Sequence, residues 1–398
     1  MSWPLVKLTE VAEINPRCPK DIDEDQIVSF VAMASASEAG LLLGEELKVL
    51  KDTKKGFTYF ERGDVLLAKI TPCFENGKSL RPYQIKNQVG FGSTEFHVVR
   101  ADLEKLDPTY LFYLLWSDAF RFLGTNAMAG AAGQKRVGTP FLKQLEIPLP
   151  PLEEQKRIAA ILDKADAIHQ KRKQAIDLAD EFLRSVFLDM FGDPVTNPKG
   201  FPVKVLSQLY IDPKNGTKCG PFGSALKKEE FVDEGIPVWN MDNISLSGNF
   251  KDEPKLWVTE EKFNEIDAYS VIDGDVIISR AGTVGKMGVV RTKYSRSLIS
   301  TNLIRVRFSE DLLPEFFVAL MTYCKGRVGR LKTGPDGSFT HMNTGILDKL
   351  EFPYPPVELQ RKFLKLLADT EKYLDKMPPS QLNDLFNSLS QKAFSGQL

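Results

Sequence analysis

Cysteine and histidine are scarce in this sequence. Four cysteines, Cys18, Cys73, Cys219 and Cys324, are dispersed over 398 residues with no C-x-x-C pair. That excludes the common zinc spacings and a disulfide framework, and it fits a reducing cytoplasm. Three histidines, His97, His169 and His341, are too scattered for the H-E-x-x-H metal motif, so each reads as a structural histidine. An excess of one charge is missing too. The formal net charge of −1 excludes a uniformly basic nucleic-acid binder and leaves local patches open. No apolar run approaches the roughly 20 residues of a membrane span, and the opening MSWPLVKLTE lacks the basic-then-apolar order of a signal peptide. A soluble, intracellular protein is expected.

Motifs that deliver catalysis are also lacking. GTVGKMG (Gly282 to Gly288) contains Gly-Lys, but a phosphate loop needs glycine where Arg280 stands and Ser or Thr where Met287 stands. Amino-methyltransferases hold the target amine with Asn or Asp ahead of Pro-Pro and an aromatic residue; PLPP and PYPP lack that polar residue. A methyltransferase or nuclease with an unrecognised site is therefore the weaker reading. Hydrophobic residues at 42% and charged residues at 26% are ordinary for folded domains, and the length calls for more than one core.

What the chain does contain is a repeat. LEIPLPPLEEQKR (Leu145 to Arg157) returns as LEFPYPPVELQRK (Leu350 to Lys362). In each copy an apolar strand runs into prolines and a charged helical pattern follows, so each marks a domain ending and a helix beginning. Earlier segments repeat as well: WPLVKL in FPVKVL (Phe201 to Leu206), FVAMASAS in VWNMDNIS (Val238 to Ser245), and RGDVLLAKIT in DGDVIISRAG (Asp273 to Gly282). The drift in spacing locates an insertion around KNGTKCGPFGS, Lys214 to Ser224. Short β-like runs, IVSFVAM, DVLLAKI and TEFHVVR, and one helix over Pro108 to Leu123 make the repeated domain α+β.

Between the domains, Ile158, Ile161, Ala165, Ile168, Arg172, Ala175, Ala179, Phe182 and Val186 alternate by three and four, a heptad seam interrupted by Arg172. Gly192, Asp193 and Pro194 end this helix of Leu152 to Phe191, about 60 Å long at 1.5 Å per residue. Near the C-terminus the pattern resumes on both sides of Pro378 and Pro379, with Ser380 placed to cap the last segment. Two such helices can pair antiparallel, which would bring Leu398 back near Met1. A coiled-coil scaffold or adaptor without DNA specificity is an alternative. Basic residues outnumber acidic ones nine to three from Arg291 to Lys332, and Arg121 to Lys143 carries four basic residues and no acidic one. Either a solvated face or a phosphate-tracking surface fits.

Together GDVLLAKITPCFENGK (Gly63 to Lys78), CGPFGSALKKEEF (Cys219 to Phe231), both Pro-Pro-x-Glu-x-Gln boundaries and LSQKAFSGQL (Leu389 to Leu398) resemble the specificity subunit of type I restriction-modification systems. The likeness spans nearly the whole chain. It implies an α+β fold of two pseudo-symmetric target-recognition domains, 1–151 and 196–356, joined by two long antiparallel coiled-coil helices, 152–195 and 357–398. The second departs from an uninterrupted spacer at Pro378–Pro379, where a kink is expected. It further implies a non-catalytic DNA reader in a bacterial or archaeal cytoplasm. Each domain would bind one half of a bipartite target in double-stranded DNA, and the helices would set the gap and dock two modification subunits. The two domains differ in sequence at the candidate loops, so an asymmetric target is expected. No cofactor belongs to this chain. S-adenosylmethionine for adenine N6 methylation, and ATP and Mg for cleavage where restriction subunits join, would sit on the partners.

Base edges are read by paired donors and acceptors while phosphate contacts position the protein. By position, the candidates in the first domain are Ser35 and Ser37; Lys69, Thr71, Phe74, Asn76 and Lys78; and Gln134, Lys135 and Arg136. In the second they are Ser224 and Lys227; Asn240, Asp242 and Asn243; Arg280, Thr283 and Lys286; and Ser338, Thr340 and His341. Glu153, Gln155, Glu358 and Gln360 recur at the helix starts as a shared cap or a partner contact.

Overall fold

The computed structural model describes residues 3–131, 133–222, 225–245, 248–324, 327–328, 331, 342–374 and 379–398, the last with backbone only before residue 385. The chain forms two compact units, Met1–Ala175 with Met377–Leu398, and Ile176–Lys376.

Among the described residues the first unit holds three sheets. Strand β1 (Leu5–Lys7) pairs with β10 (Glu146–Pro148). A second sheet runs β2 (Ala12–Ile14), β9 (Phe96–Ala101), β6 (Val65–Ala68), β7 (Ser79–Leu80), and a third β4 (Glu46–Val49), β3 (Ile27–Val31), β8 (Val89–Gly92), β5 (Thr58–Glu61). The second unit repeats this order. Strand β11 (Val203–Val205) pairs with β20 (Glu351–Pro353). Its larger sheets run β12 (Thr217–Cys219), β19 (Leu303–Val306), β16 (Val276–Ser279), β17 (Met287–Val289), and β14 (Trp257–Val258), β13 (Ile236–Trp239), β18 (Ser297–Ile299), β15 (Ser270–Val271). Even the parallel pair recurs, as β3 with β8 and β13 with β18. The extra residues of the second unit flank β12.

Helices α1 (Leu50–Thr53), α2 (Pro108–Trp116), α3 (Asp118–Asn126) and α4 (Thr139–Gln144) belong to the first unit, and α6 (Glu260–Glu265), α7 (Pro314–Cys324) and α8 (Thr344–Asp348) to the second. The single helix expected over Pro108 to Leu123 is two. Ser117 is extended and its hydroxyl accepts from the Phe120 N–H, which ends α2 and caps α3. Asp107 caps α2 ahead of Pro108.

The repeated Gly-Asp-Val motif has a structural cause. Asp64 is 2% exposed; it accepts from the Glu61 N–H at 2.7 Å and takes two bonds from Arg100 at 2.8 Å. Asp275 is 1% exposed and does the same with the Ile272 N–H at 2.9 Å and Arg307 at 2.7 Å. Each aspartate closes the turn that launches an all-buried strand, β6 or β16, and its charge is compensated where it lies.

Helix α5 (Leu152–Phe191) crosses from one unit to the other, while α9 (Val357–Leu374) lies in the second and α10 (Pro379–Ser395) in the first. Gly192, at φ 75°, supplies the left-handed residue that ends α5. In the first unit Ile158, Ala159 and Leu162 of α5 share a core with Tyr110, Leu111 and Ala393. There α10 runs opposite to α5 and sets Phe394 edge-on to Tyr110 at 5.4 Å, with the Trp3 indole N–H donating to the Ala393 carbonyl at 2.9 Å. Leu398 therefore packs in the same cluster as Trp3 and Val6. In the second unit Phe191 of α5 sits edge-on to Phe316 at 4.9 Å, and Phe187 meets Phe363 of α9 at 5.1 Å. One helix arriving and one leaving flank each domain.

Most of the heptad seam faces inward: Ile158 is fully buried and Ile161, Ala165, Arg172, Ala175, Ala179 and Val186 are half-buried, together with the buried neighbours Leu162, Leu183 and Phe187. Ile168 and Phe182 are the departures, at 51% and 53% exposed, and half-buried Asp166 and His169 share the stripe instead. The kink expected at Pro378–Pro379 cannot be followed through 375–378, which lie outside the described residues. Ser380 lies within α10 rather than ahead of it, and its side chain is likewise outside.

Gln155 and Gln360, both fully buried, make the same three bonds. The Gln155 amide accepts from the Asp107 N–H at 2.8 Å and donates to the carbonyls of Lys105 and Pro150 at 2.9 Å. Gln360 accepts from the Leu313 N–H at 3.0 Å and donates to Asp311 at 3.2 Å and Pro355 at 3.0 Å. Each clasps the first turn of a long helix to the loop before α2 or α7. Gln155→Ala strands three such groups and is expected to destabilise the first unit by about 3 kcal/mol, measured by denaturant unfolding of the full chain. A loss below about 0.5 kcal/mol, the scale of a plain surface substitution, contradicts the clasp.

Candidate nucleic-acid interface

In the first unit the loop after β6 and the glycine-rich loop before α4 are laced by backbone bonds. The Thr71 N–H donates to Lys135 at 3.0 Å, Val137 to Lys69 at 2.9 Å, and Arg136 and Ala129 bond each other at 2.9 and 3.1 Å. From β9 beneath, buried His97 places Nε2 2.8 Å from the Val137 carbonyl and Nδ1 3.2 Å from the Asn15 amide. A third segment joins through the Asn76 amide, which donates to Glu38 at 2.9 Å. The three candidate segments thus form one surface. Asn76, Gln134 and Lys135 are exposed on it, and Lys69, Thr71 and Lys78 are half-buried. Thr71 donates to Glu75 at 2.7 Å, and Arg136 chelates Glu95. The Arg136 guanidinium holds the Glu95 carboxyl below the usual carboxylate range.

Some candidates have local roles. Phe74 is 1% exposed and packs edge-on to Phe120 at 5.9 Å; it is a core residue against α3, so its ring is unavailable to a base. The half-buried Ser35 offers its carbonyl to the Leu43 N–H at 2.8 Å, and the Ser37 hydroxyl accepts from the Leu41 N–H at 2.8 Å to close a turn. Ser245 closes the matching turn on the Asn249 N–H at 2.8 Å.

The second unit assembles its surface differently. Lys286 Nζ donates to the Met241 carbonyl at 3.0 Å, tying the loop after β16 to the Asn240 segment. The Arg280 guanidinium lies 4.2 Å from the ring centroid of Phe222, which is 53% exposed on the inserted loop. Lys227, Asp242 and Thr283 are exposed. Asn243 is 3% exposed and donates to the carbonyls of Lys251 and Glu253, while Asn240 caps the Asp242 N–H; both build the turn. Ser224, Ser338, Thr340 and His341 lie outside the described residues.

In the described part of the basic stretch from Arg291 to Lys332, Arg305 and Arg307 are scaffolding, whereas Arg291, Lys293 and Arg296 lie on the surface. Arg305 is 3% exposed and donates to the carbonyls of Ser270 and Asn215, and Arg307 holds Asp275. Arg291 pairs with Asp273 and Glu315, and Arg296 with Glu260. At the helix starts Glu153 and Glu358 are exposed and pair with Lys156 and Arg361 at 2.8 Å, while the two glutamines are occupied inside. Among the described residues no group of three or more His, Cys, Asp or Glu could hold a metal ion, and no helix is long and apolar enough to cross a membrane.

A search for basic residues misses the carboxylates Glu38, Glu75 and Glu95. The signal for Glu95 lies in aligning STEF with STNL, which puts Asn302 in its place. The backbones agree, since Lys69 N–H donates to Glu95 at 2.9 Å and Arg280 N–H to Asn302 at 3.0 Å.

A family model described as the type I restriction modification DNA specificity domain matches residues 2–178 and 222–385. The chain is 36% identical to the type I restriction enzyme EcoEI specificity subunit of Escherichia coli over 94% of its own length and 78% of that protein. It is 38% identical to the Escherichia coli EcoAI specificity subunit over 46% of its length, spanning 32% of that relative. A solved type I restriction-modification S subunit from M. genitalium shares the fold, with TM-score 0.54 and 17% identity over 99% of this chain and 96% of that one. A chain from work on assembly and conformational transition of the type I R-M system has TM-score 0.52 and 20% identity over 100% and 98%.

Burial pushes the His97 imidazole below its ordinary value, with Lys69 adding to the effect and Glu95 opposing it. The unfolded chain therefore binds this proton first, and stability falls as pH drops below about 6.5. The wild type should lose more stability between pH 7 and pH 5.5 than His97→Gln, whose amide can still donate to Val137. Equal losses in denaturant unfolding would refute the assignment.

Proposed function

The chain belongs to the family of type I restriction-modification DNA specificity subunits, whose members are non-catalytic, and on that premise we propose how it reads DNA. Each unit takes one half of a bipartite target in double-stranded DNA through the loops that follow β6 or β16 and the segments laced to them. The observation that carries this reading is one topology written twice with different side chains on the equivalent surface: Lys69 against Arg280, Glu95 against Asn302, and an inserted loop with Phe222 in the second unit alone. Equal scaffolds with unequal donors and acceptors favour unequal half-sites. Exposed side chains such as Lys135 and Lys227 supply phosphate contacts.

Helices α5, α9 and α10 set the gap between the half-sites and dock two modification subunits, with Glu153 and Glu358 as the exposed contacts at the helix starts. Those subunits bring S-adenosylmethionine and methylate adenine N6. Restriction subunits using ATP and Mg join where the system also cuts. The complex works in the cytoplasm. Sequencing modified adenines in cells that express the chain with its modification subunits tests the reading. A single bipartite, non-palindromic motif is expected; modified adenines without a common bipartite motif would contradict it.

A further inference from the structure

We propose that Arg136 reads a guanine in the half-site of the first unit and that Glu95 is the positioning residue that presents it. The proposal rests on the DNA-reading function above and names one base contact within it.

A guanidinium has five N–H donors. Glu95 takes the Nε donor at 3.0 Å and one on Nη2 at 2.8 Å, and the Gln134 carbonyl takes one on Nη1 at 3.2 Å. One donor remains on each of Nη1 and Nη2. In the major groove only guanine offers two acceptors side by side, N7 and O6; adenine pairs an acceptor with a donor, cytosine offers a donor, and thymine a single acceptor. The free pair on Arg136 fits guanine and mismatches the others.

The mounting is as informative as the donor count. The Arg136 backbone is bonded in both directions to Ala129, and its neighbours are bonded to Thr71 and Lys69. Glu95 is anchored through its carbonyl to the Lys69 N–H. With the base and tip of the side chain held, little rotamer freedom is left to lose on binding. The two side chains are 42% and 26% exposed, an environment in which an ion pair contributes little to stability, so holding the fold together is a poor account of the pair. An acidic group facing DNA is unfavourable unless neutralised, and Arg136 neutralises Glu95. Asn302 stands at the matching position of the second unit, so this device is confined to one half-site.

The test is the recognised motif of the complex of full chain and modification subunits, read by sequencing modified adenines and by relative binding to duplexes substituted at each position. Arg136→Lys, which keeps the charge but loses the fork, should abolish preference for one guanine in one half-site, a change of roughly 5- to 150-fold in discrimination. Glu95→Ala should relax the same position, and Glu95→Gln, which keeps one acceptor, should relax it less. The other half-site and the gap stay as in the wild type, which also reports that the variants fold. An unchanged motif in Arg136→Lys, relaxation in both halves, or uniform weakening at every sequence overturns the proposal. A wild-type complex with no bipartite motif overturns the DNA-reading function itself.

Discussion

A buried glutamine amide fastens each globular repeat to the helix it launches. Only a group that accepts on one side and donates twice on the other satisfies the three backbone groups around Gln155 and Gln360; a carboxylate would face two carbonyls with no hydrogen to offer. The prolines beside it belong to the same device. They terminate β10 and β20, start the helix without an N–H, and leave the Pro150 and Pro355 carbonyls free for the glutamine. Helix direction on each domain is set at this joint, so any spacing of half-sites by the helices begins there.

What the two repeats share is what holds them together. The aspartates Asp64 and Asp275 cap equivalent turns and compensate equivalent arginines, and the ring pairs Tyr110–Phe394 and Phe316–Phe191 seat equivalent helix ends. What differs lies on the loops above those joints, where one unit carries the Glu95–Arg136 pair and the other stacks Arg280 on Phe222. Such a division is expected when one scaffold presents two specificities: packing tolerates little change, whereas exposed loops tolerate much.

The sequence exposed the duplication, the domain order and the two helix starts, because proline, glycine and apolar spacing act locally. Along α5 its apolar spacing marks most of the inward stripe but includes the exposed Ile168 and Phe182 and passes over half-buried Asp166 and His169, which a search for apolar residues cannot find. It read Phe74 as part of a reading loop, because nothing local tells that α3 will cover the ring. The basic run around Arg305 stayed open between two readings for a related reason: an arginine buried under carbonyl oxygens and one facing a phosphate look alike in a sequence. The roles of Gln155 and Gln360 depend on Lys105 to Asp107 and Asp311 to Leu313, distant in sequence and brought near only by the fold.

In the proposed function, equivalent surfaces on the two units engage different halves of one DNA target. Site-specific photo-crosslinking tests it most directly, with a benzophenone amino acid at position 135 of the first unit or 283 of the second, in the assembled complex on its target duplex. Position 135 is expected to crosslink within one half-site only and position 283 within the other only. Crosslinking of both positions to the same half, or of either equally to both, would contradict it.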